Sequence, residues 1–434
     1  MSSYMTAAEA AAELGISRAT LYAYVSRGLL SSAPATDDAT DATDANHANH
    51  ASGTSSSAPP NGRSHAARRY DAAEVRRLAR RKADGKRAGK VAQKVLDWGV
   101  PVLESSITLI AGGKLFYRGQ DAVELARHAS LEEVAALLWE CTPRRVLDAP
   151  AAPIAAAQWS AWLKLWSGHS PLERALVLLP AAAAQMPRIW AQGRDAQLDN
   201  AAVLMRLLAA ALVSAAPSGE PLHRQIAHAW GVRSRNQADL LRAALVLCAD
   251  HELNASTFTV RCITSTGTHL FGAATGGLAA LAGPRHGGET VRVAALFEEA
   301  AHADDLHRYL AQRLAPDENG VTPSLSGFGH PLYPDGDPRA RLLLDWLAQR
   351  APARSPMAEV DLLAQAVMET TGARPTLDYA LAAIERVLAL PRGAAFTLFA
   401  AGRVTGWIAH ALEQNADGRL IRPRARYVGE HVHA

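Results

Sequence analysis

Several separated stretches of this chain set charged and hydrogen-bonding side chains into otherwise apolar surroundings. Asp250-His251-Glu252-Leu253-Asn254-Ala255-Ser256-Thr257 interrupts a run rich in leucine and alanine. Gly283-Pro284-Arg285-His286-Gly287-Gly288 puts an imidazole on a glycine-flexed loop at the mouth of a helix. Gly327-Phe328-Gly329-His330 does so again, and Asp337-Pro338-Arg339 follows. Pro375-Thr376-Leu377-Asp378 places a carboxylate at a helix start, while Gly402-Arg403 and Arg422-Pro423-Arg424 add guanidinium groups. Imidazoles and carboxylates are the side chains that most often move protons in catalysis. Guanidinium forks are the groups that grip small dianions in a bidentate way. Taken singly, each residue has an ordinary structural use: a lone histidine is commonly a satisfied structural group, and an aspartate ahead of a helix commonly caps it.

Other chemistries lose ground. The sequence has no G-x-x-x-x-G-K-[ST] phosphate loop and no strand-bounded G-x-G-x-x-G, since Gly327-Phe328-Gly329-His330 lacks the third glycine. His251-Glu252 begins like a zinc-protease helix, but Ala255 and Ser256 stand where the second histidine would be needed. No G-x-S-x-G nucleophile elbow occurs. No metal or cofactor is expected.

The elements that must position these residues are mostly helical. The 434 residues suffice for two to four domains at about 100–200 residues each. With 49% apolar and 20% charged residues the chain can build a large core and is not a disordered polymer. No run reaches the ~18 uncharged apolar residues of a spanning helix, so no membrane partner is expected. The start MSSYMTAAEAAAELG lacks the basic region of a secretory signal. Cys141, Cys248 and Cys262 are scattered, and three cysteines in neither a disulfide nor a zinc pattern point to a reducing cytoplasm. Ser130 with Glu133 opens a helix through Trp139, and similar amphipathic runs recur near 172–185, 199–216, 238–248, 290–314, 340–350, 357–370, 378–390 and 395–414. β-Branched residues are thin outside a short piece near 106–117.

The first thirty residues have a different character. Thr6 with Glu9 forms a capping-box signature, Gly15 suits a left-handed stop, and Ser17 can cap a second helix running to about Arg27. Ile16, Leu21 and Val25 would pack inward, leaving Arg18, Thr20, Tyr22, Tyr24 and Arg27 for an outward face. Between Arg63 and Lys94, twelve Lys and Arg residues face three acids, a local +9 in a chain whose net charge is +3, so the remainder is −6. AAELGISRATLYAYVSRGLL resembles the first helices of MerR-type and excisionase-type DNA-binding domains, and RRYDAAEVRRLARRK resembles the segment after the wing in that family. The resemblance implies DNA as a partner through Arg18, Thr20, Tyr22, Arg27, Arg68 and Arg69; a helical hairpin docking on the main body or on a partner is the alternative. Residues 31–67 are low in complexity and are expected to be a disordered insertion in the wing.

SSITLIAGGKLFYRGQDAVELA, DHELNASTF, GPRHGG, GFGHPLYPDGDPRA, PTLDYAL, LFAAGRVTGWIAHALEQ and IRPRARYVG occur in one order and spacing. Together they resemble the citrate synthase family over about 95–434. That resemblance implies an all-α, two-domain fold behind a small winged helix-turn-helix at 1–94. The large helical domain would comprise 95–286 and 387–434, and the small one 287–386. It implies condensation of acetyl-CoA with oxaloacetate to citrate and CoA, with Asp378 as base, His286 stabilising the enol and His330 serving the ketone oxygen. Arg339, Arg403 and Arg422 would hold oxaloacetate, with His251 and Asn254 in the substrate site. Arg422 would reach across a two-fold axis, which implies a homodimer. Propionyl-CoA giving 2-methylcitrate is the alternative reaction, and a metabolite-sensing DNA-binding regulator on the same fold is the other reading. Two departures stand out. Pro331 and Pro334 replace cations frequent in the family, and Glu289-Thr290 stands where Ala-Asn is frequent.

Overall fold

In the computed structural model the described residues are 4–26, 30–34, 68–79, 103–149, 152–191, 193–316, 323–425 and 427–429. They divide into two compact units, Met1–Glu104 and Ser105–Ala434. The expected boundary at 94 lies outside the described residues.

In the first unit, Thr6 accepts from Glu9 N–H at 3.3 Å and the Glu9 carboxylate returns to Thr6 N–H at 2.8 Å, starting the helix Ala7–Leu14. Gly15 ends it in the left-handed conformation (φ 60°). The helix Arg18–Ser26 follows, with Ser17 accepting from Thr20 N–H at 3.2 Å. Leu21 is fully buried with Ala10, Leu14, Tyr70 and Val75, and Ile16 and Val25 pack against them. Tyr24 packs there too, so it is not available for an outward face. Strand Arg68–Asp71 lies between Tyr4–Thr6 and Ser32–Pro34, antiparallel to both. The two chain segments flanking 35–67 are thus paired neighbours. A helical stretch over 72–79 follows. Arg27 and residues 35–67 lie outside the described residues.

The second unit opens on a hairpin. Thr108–Ala111 pairs with Lys114–Tyr117, and Gly112 and Gly113 both take positive φ (57° and 70°), as a tight two-residue hairpin turn needs. Gln120–Asp121 adds a short third strand. The rest is helical. The helix Ala394–Asp417 is buried along nearly its whole length and packs against Arg194–Val213, Arg235–Cys248 and Ala255–Thr264. A helix apolar on all faces belongs in a core. Arg194–Val213 is long and apolar enough to cross a bilayer, but 83% of that stretch is buried inside the protein.

Two glycines let the central helices touch. A Cβ on Gly402 would sit 2.5 Å from the Leu245 carbonyl oxygen, and one on Gly406 would sit 2.3 Å from Asp250 Oδ1. Arg403 lies between them. Buried arginines recur at helix C-termini, where carbonyls lack partners and the dipole favours a cation. Arg174 donates to Ala211 and Leu212 carbonyls, Arg206 to Val146 and Leu147, Arg242 to Ala129, and Arg403 to Cys248.

A further group of helices, Glu289–Ala301, Leu306–Arg313, Pro338–Arg350, Met357–Thr371 and Leu377–Val387, is packed mainly within itself. The expected single run at 290–314 is two helices, because Asp305 caps a new one by accepting from Arg308 N–H. The boundaries expected at 286 and 386 fall in the turn before Glu289–Ala301 and at the end of Leu377–Val387.

Candidate active site

His251, His286, His330, Arg339, Asp378 and Arg403 come together although they are scattered over 153 positions from His251 to Arg403. The His251 and His330 rings meet edge to face at 5.2 Å. Tyr333 joins them, its hydroxyl 3.0 Å from His251 Nε2 and its ring 5.0 Å from that of His330. Arg339 lies over the Tyr333 ring at 5.3 Å. The positive field at His251 comes from Arg339 and Arg403, and His330 and His286 lie close enough to act on its charging.

Each group is set by its local element. Asp337 caps Pro338–Arg350 and grips Arg339 in two side-chain hydrogen bonds, 2.9 Å to Nε and 2.8 Å to Nη2. Its Oδ2 also accepts Leu377 N–H at 3.0 Å, which ties the Arg339 helix to the turn before Asp378. Burial opposes both charges, yet their pairing keeps Asp337 below and Arg339 above its usual range. Arg403 spends Nε on the Cys248 carbonyl at 2.8 Å and stacks on Phe399 at 4.8 Å. Its Nη atoms make no hydrogen bond among the described residues.

His286 Nε2 lies 2.8 Å from Ser256 Oγ, which also accepts from Trp407 Nε1 at 3.1 Å and lies 2.8 Å from Asn254 Oδ1. The serine has one proton. Directed at Asn254, it leaves His286 to donate through Nε2; directed at His286, it leaves the imidazole proton on Nδ1. His330 is simpler: Nδ1 accepts Leu332 N–H at 3.2 Å, so the neutral ring carries its proton on Nε2. Burial, helped by nearby guanidinium charge, pushes His286 and His330 down to about 4, and His251 well below its ordinary value. All three are neutral at pH 7. Asp378 moves the other way. Burial pushes it up to about 7 against the pull of Arg339, and Glu289 and Asp337 add to the rise. Its Oδ1 has no hydrogen-bond partner among the described residues.

The sequence placed Asp378 at a helix start, and it is the second residue of Leu377–Val387. Asn254 caps Ala255–Thr264, its Oδ1 accepting Thr257 N–H at 3.1 Å and its Nδ2 donating to the His251 carbonyl. Arg422 is exposed on the C-terminal segment, and no hydrogen bond or ion pair links it to the cluster among the described residues. Arg18, Tyr22, Arg68 and Arg69 are exposed in the first unit, with Thr20 half-buried. Sequence reasoning missed Tyr333, Ser256, Trp407 and the buried pair of Asp250 and His410, 3.3 Å apart behind His251. All of them stand inside stretches already singled out, where no role was given to them. A cavity of about 110 Å³ adjoins the cluster, lined by His330, Tyr333, Asp337 and Arg374 among others. A larger one of about 560 Å³, lined by Glu140, Arg188 and Arg194 among others, holds none of the expected catalytic residues.

A helical unit with neutral imidazoles, one carboxyl of raised proton affinity and two buried guanidiniums is built for proton transfer beside an anion. The family model described as citrate synthase, C-terminal domain, matches residues 95–424. The chain belongs to the citrate synthase family. It is 30% identical over 383 residues to citrate synthase of Haloferax volcanii, covering 76% of this chain and 94% of that one. It is 29% identical over 355 residues to 2-methylcitrate synthase of Shewanella oneidensis, covering 74% and 90%. Among solved structures, Thermoplasma acidophilum citrate synthase in ternary complex with carboxymethyl coenzyme A and oxaloacetate superposes with a TM-score of 0.65 at 26% identity, covering 77% of this chain and 96% of that one.

Proposed function

We propose that the chain is an acyl-CoA:oxaloacetate condensing enzyme, which joins acetyl-CoA to oxaloacetate and releases citrate and CoA. The observation that carries this is Asp378, which burial pushes up to about 7 within the field of Arg339 and Arg403, in a site that also holds neutral imidazoles. A thioester methyl is a weak carbon acid, so a carboxylate removes its proton only if the enol oxygen is hydrogen-bonded at the same time. Asp378 takes the proton. His286 donates to the thioester oxygen through Nδ1, which requires the Ser256 proton to be turned toward Nε2. The enol carbon attacks the ketone carbon of oxaloacetate, and the developing alkoxide receives the hydrogen bond from His330 Nε2–H. Arg339, Arg403 and, from a second subunit, Arg422 hold the two carboxylates. Asn254 acts by holding the His251 turn through Nδ2 and the start of the helix that carries Ser256 through Oδ1. Water then cleaves citryl-CoA to citrate and CoA. No cofactor enters, since the CoA thioester is a substrate.

Propionyl-CoA giving 2-methylcitrate is the close alternative, supported by similarity to the Shewanella enzyme. Discriminating one methylene in an apolar pocket is worth only about 1–3 kcal/mol. Release of free CoA, followed with oxaloacetate and each thioester in turn, tests both: turnover with either supports condensation, kcat/KM assigns the acyl group, and no release with either refutes the reading.

For the first unit we infer a winged helix-turn-helix that contacts DNA, on the capped two-helix turn, the paired strands flanking 35–67 and the exposed Arg18, Tyr22, Arg68 and Arg69. Duplex binding by the full chain should weaken steeply with salt, and no binding at low salt refutes it.

A further inference from the structure

Glu289 is the first residue of Glu289–Ala301, three positions beyond His286. Its Oε1 accepts Gly327 N–H at 3.2 Å, and its Oε2 lies 3.6 Å from Arg292 Nη1. Gly327 begins the loop that carries His330, and its carbonyl accepts Thr376 N–H at 2.8 Å, two residues before Asp378. The loop comes this close because Gly327 has no side chain: φ is 82°, and a Cβ would meet Val293 Cγ2 at 2.7 Å. One carboxylate thus adjoins the segments bearing both imidazoles and the carboxyl group.

The charged groups acting on Asp378 come from several elements. Arg339 from Pro338–Arg350 and Arg403 from Ala394–Asp417 favour its ionised form, whereas Asp337 and Glu289 oppose it. From Met357–Thr371, Asp361 acts on the neighbouring Tyr379. Asp337 is neutralised by its paired contact with Arg339, while among the described residues the one cation paired with Glu289 is exposed Arg292, at the longer distance. A negative neighbour disfavours ionisation of a carboxyl group, and the resulting carboxylate is the stronger base.

We propose that Glu289 is a positioning residue of this reaction: it ties the His330 loop to the helix behind His286 and sets a second negative charge beside Asp378, strengthening that base. The proposal rests on Asp378 being the base.

Three variants of the full chain test it through the pH profile of kcat. E289Q keeps an amide oxygen for Gly327 N–H and loses the charge, so the acid limb should move to lower pH by roughly half a unit or more, with the plateau several-fold lower. E289A loses both functions and should add a raised KM for oxaloacetate. E289D restores the charge and should return the limb toward the parental position. An E289Q limb superimposed on that of the parent overturns the proposal, as does an E289D limb shifted as far as that of E289Q. If Asp378→Asn itself turns over at the parental rate, the failure belongs to the base assignment and not to Glu289.

Discussion

One environment drives the titratable groups of the site in opposite directions, and this is what makes them useful together. Burial strips hydration from charge, so it lowers the imidazoles and raises the carboxyl group. His286 and His330 end at about 4 and Asp378 at about 7, leaving uncharged donors beside an acceptor poised to ionise. The acid limb of turnover should therefore fall near pH 7 and track Asp378, with no inflection from these imidazoles near their ordinary value of about 6.5. The same shift has a stability consequence. A carboxyl group raised on folding stabilises the fold while protonated in both states, and that contribution fades between its unfolded value of about 4 and its folded value near 7. Asp378→Asn should then raise Tm at pH 8 and give no gain at pH 4. A Tm difference independent of pH would contradict the burial argument. The residue types were readable in the sequence as polar groups in apolar runs. Their protonation was not, because it depends on which chains close around them, and the single proton of Ser256 that sets the His286 tautomer is visible only once Asn254 and Trp407 are in place.

Helices do the placing, and their close packing explains why the motifs contain glycine. Gly402 and Gly406 bring Ala394–Asp417 against the end of Arg235–Cys248, so Arg403 meets the Cys248 carbonyl and Asp250 lies beside His410. Gly406→Ala should cost about 1–3 kcal/mol through overpacking and lower activity as Arg403 shifts. Urea unfolding with an activity assay checks both, and a variant of parental stability would mean that the helices are not in tight contact. The capped starts at Thr6 and Ser130 were legible because capping is local chemistry. The helices Ala156–Leu165 and Leu270–Leu281 escaped notice: the first is weakly amphipathic and buries only Trp159, and the second is glycine-rich and buried on most sides, so neither gives a clear periodic signal. The break near 303–305 was likewise hidden inside one apolar-periodic run.

At the scale of the whole molecule, the family and its helical architecture were readable from motif order alone, while Arg422 was not brought to the cluster by the single chain. If Arg422 serves a partner's site, then Asp378→Asn and Arg422→Ala should each be inactive alone. Mixed and allowed to exchange subunits, they should recover about one quarter of parental activity, since half of the dimers would be hybrid and each would hold one intact site. Recovery of nothing, with exchange shown to occur, would mean that Arg422 does not serve the partner's site. The first unit follows a different logic, with its own small core around Leu21 and Tyr70 and its basic residues exposed. Its two capped helices were legible in the sequence, whereas the pairing of Ser32–Pro34 with Arg68–Asp71 was not.

The most direct test is turnover of acetyl-CoA and oxaloacetate by Asp378→Asn at pH 8, measured as CoA release under saturating substrates beside the parent. Removing a positioned base should lower kcat by about 10²–10⁴-fold while leaving oxaloacetate binding intact, since the arginines remain. A variant that releases CoA as fast as the parent would contradict the account at its centre.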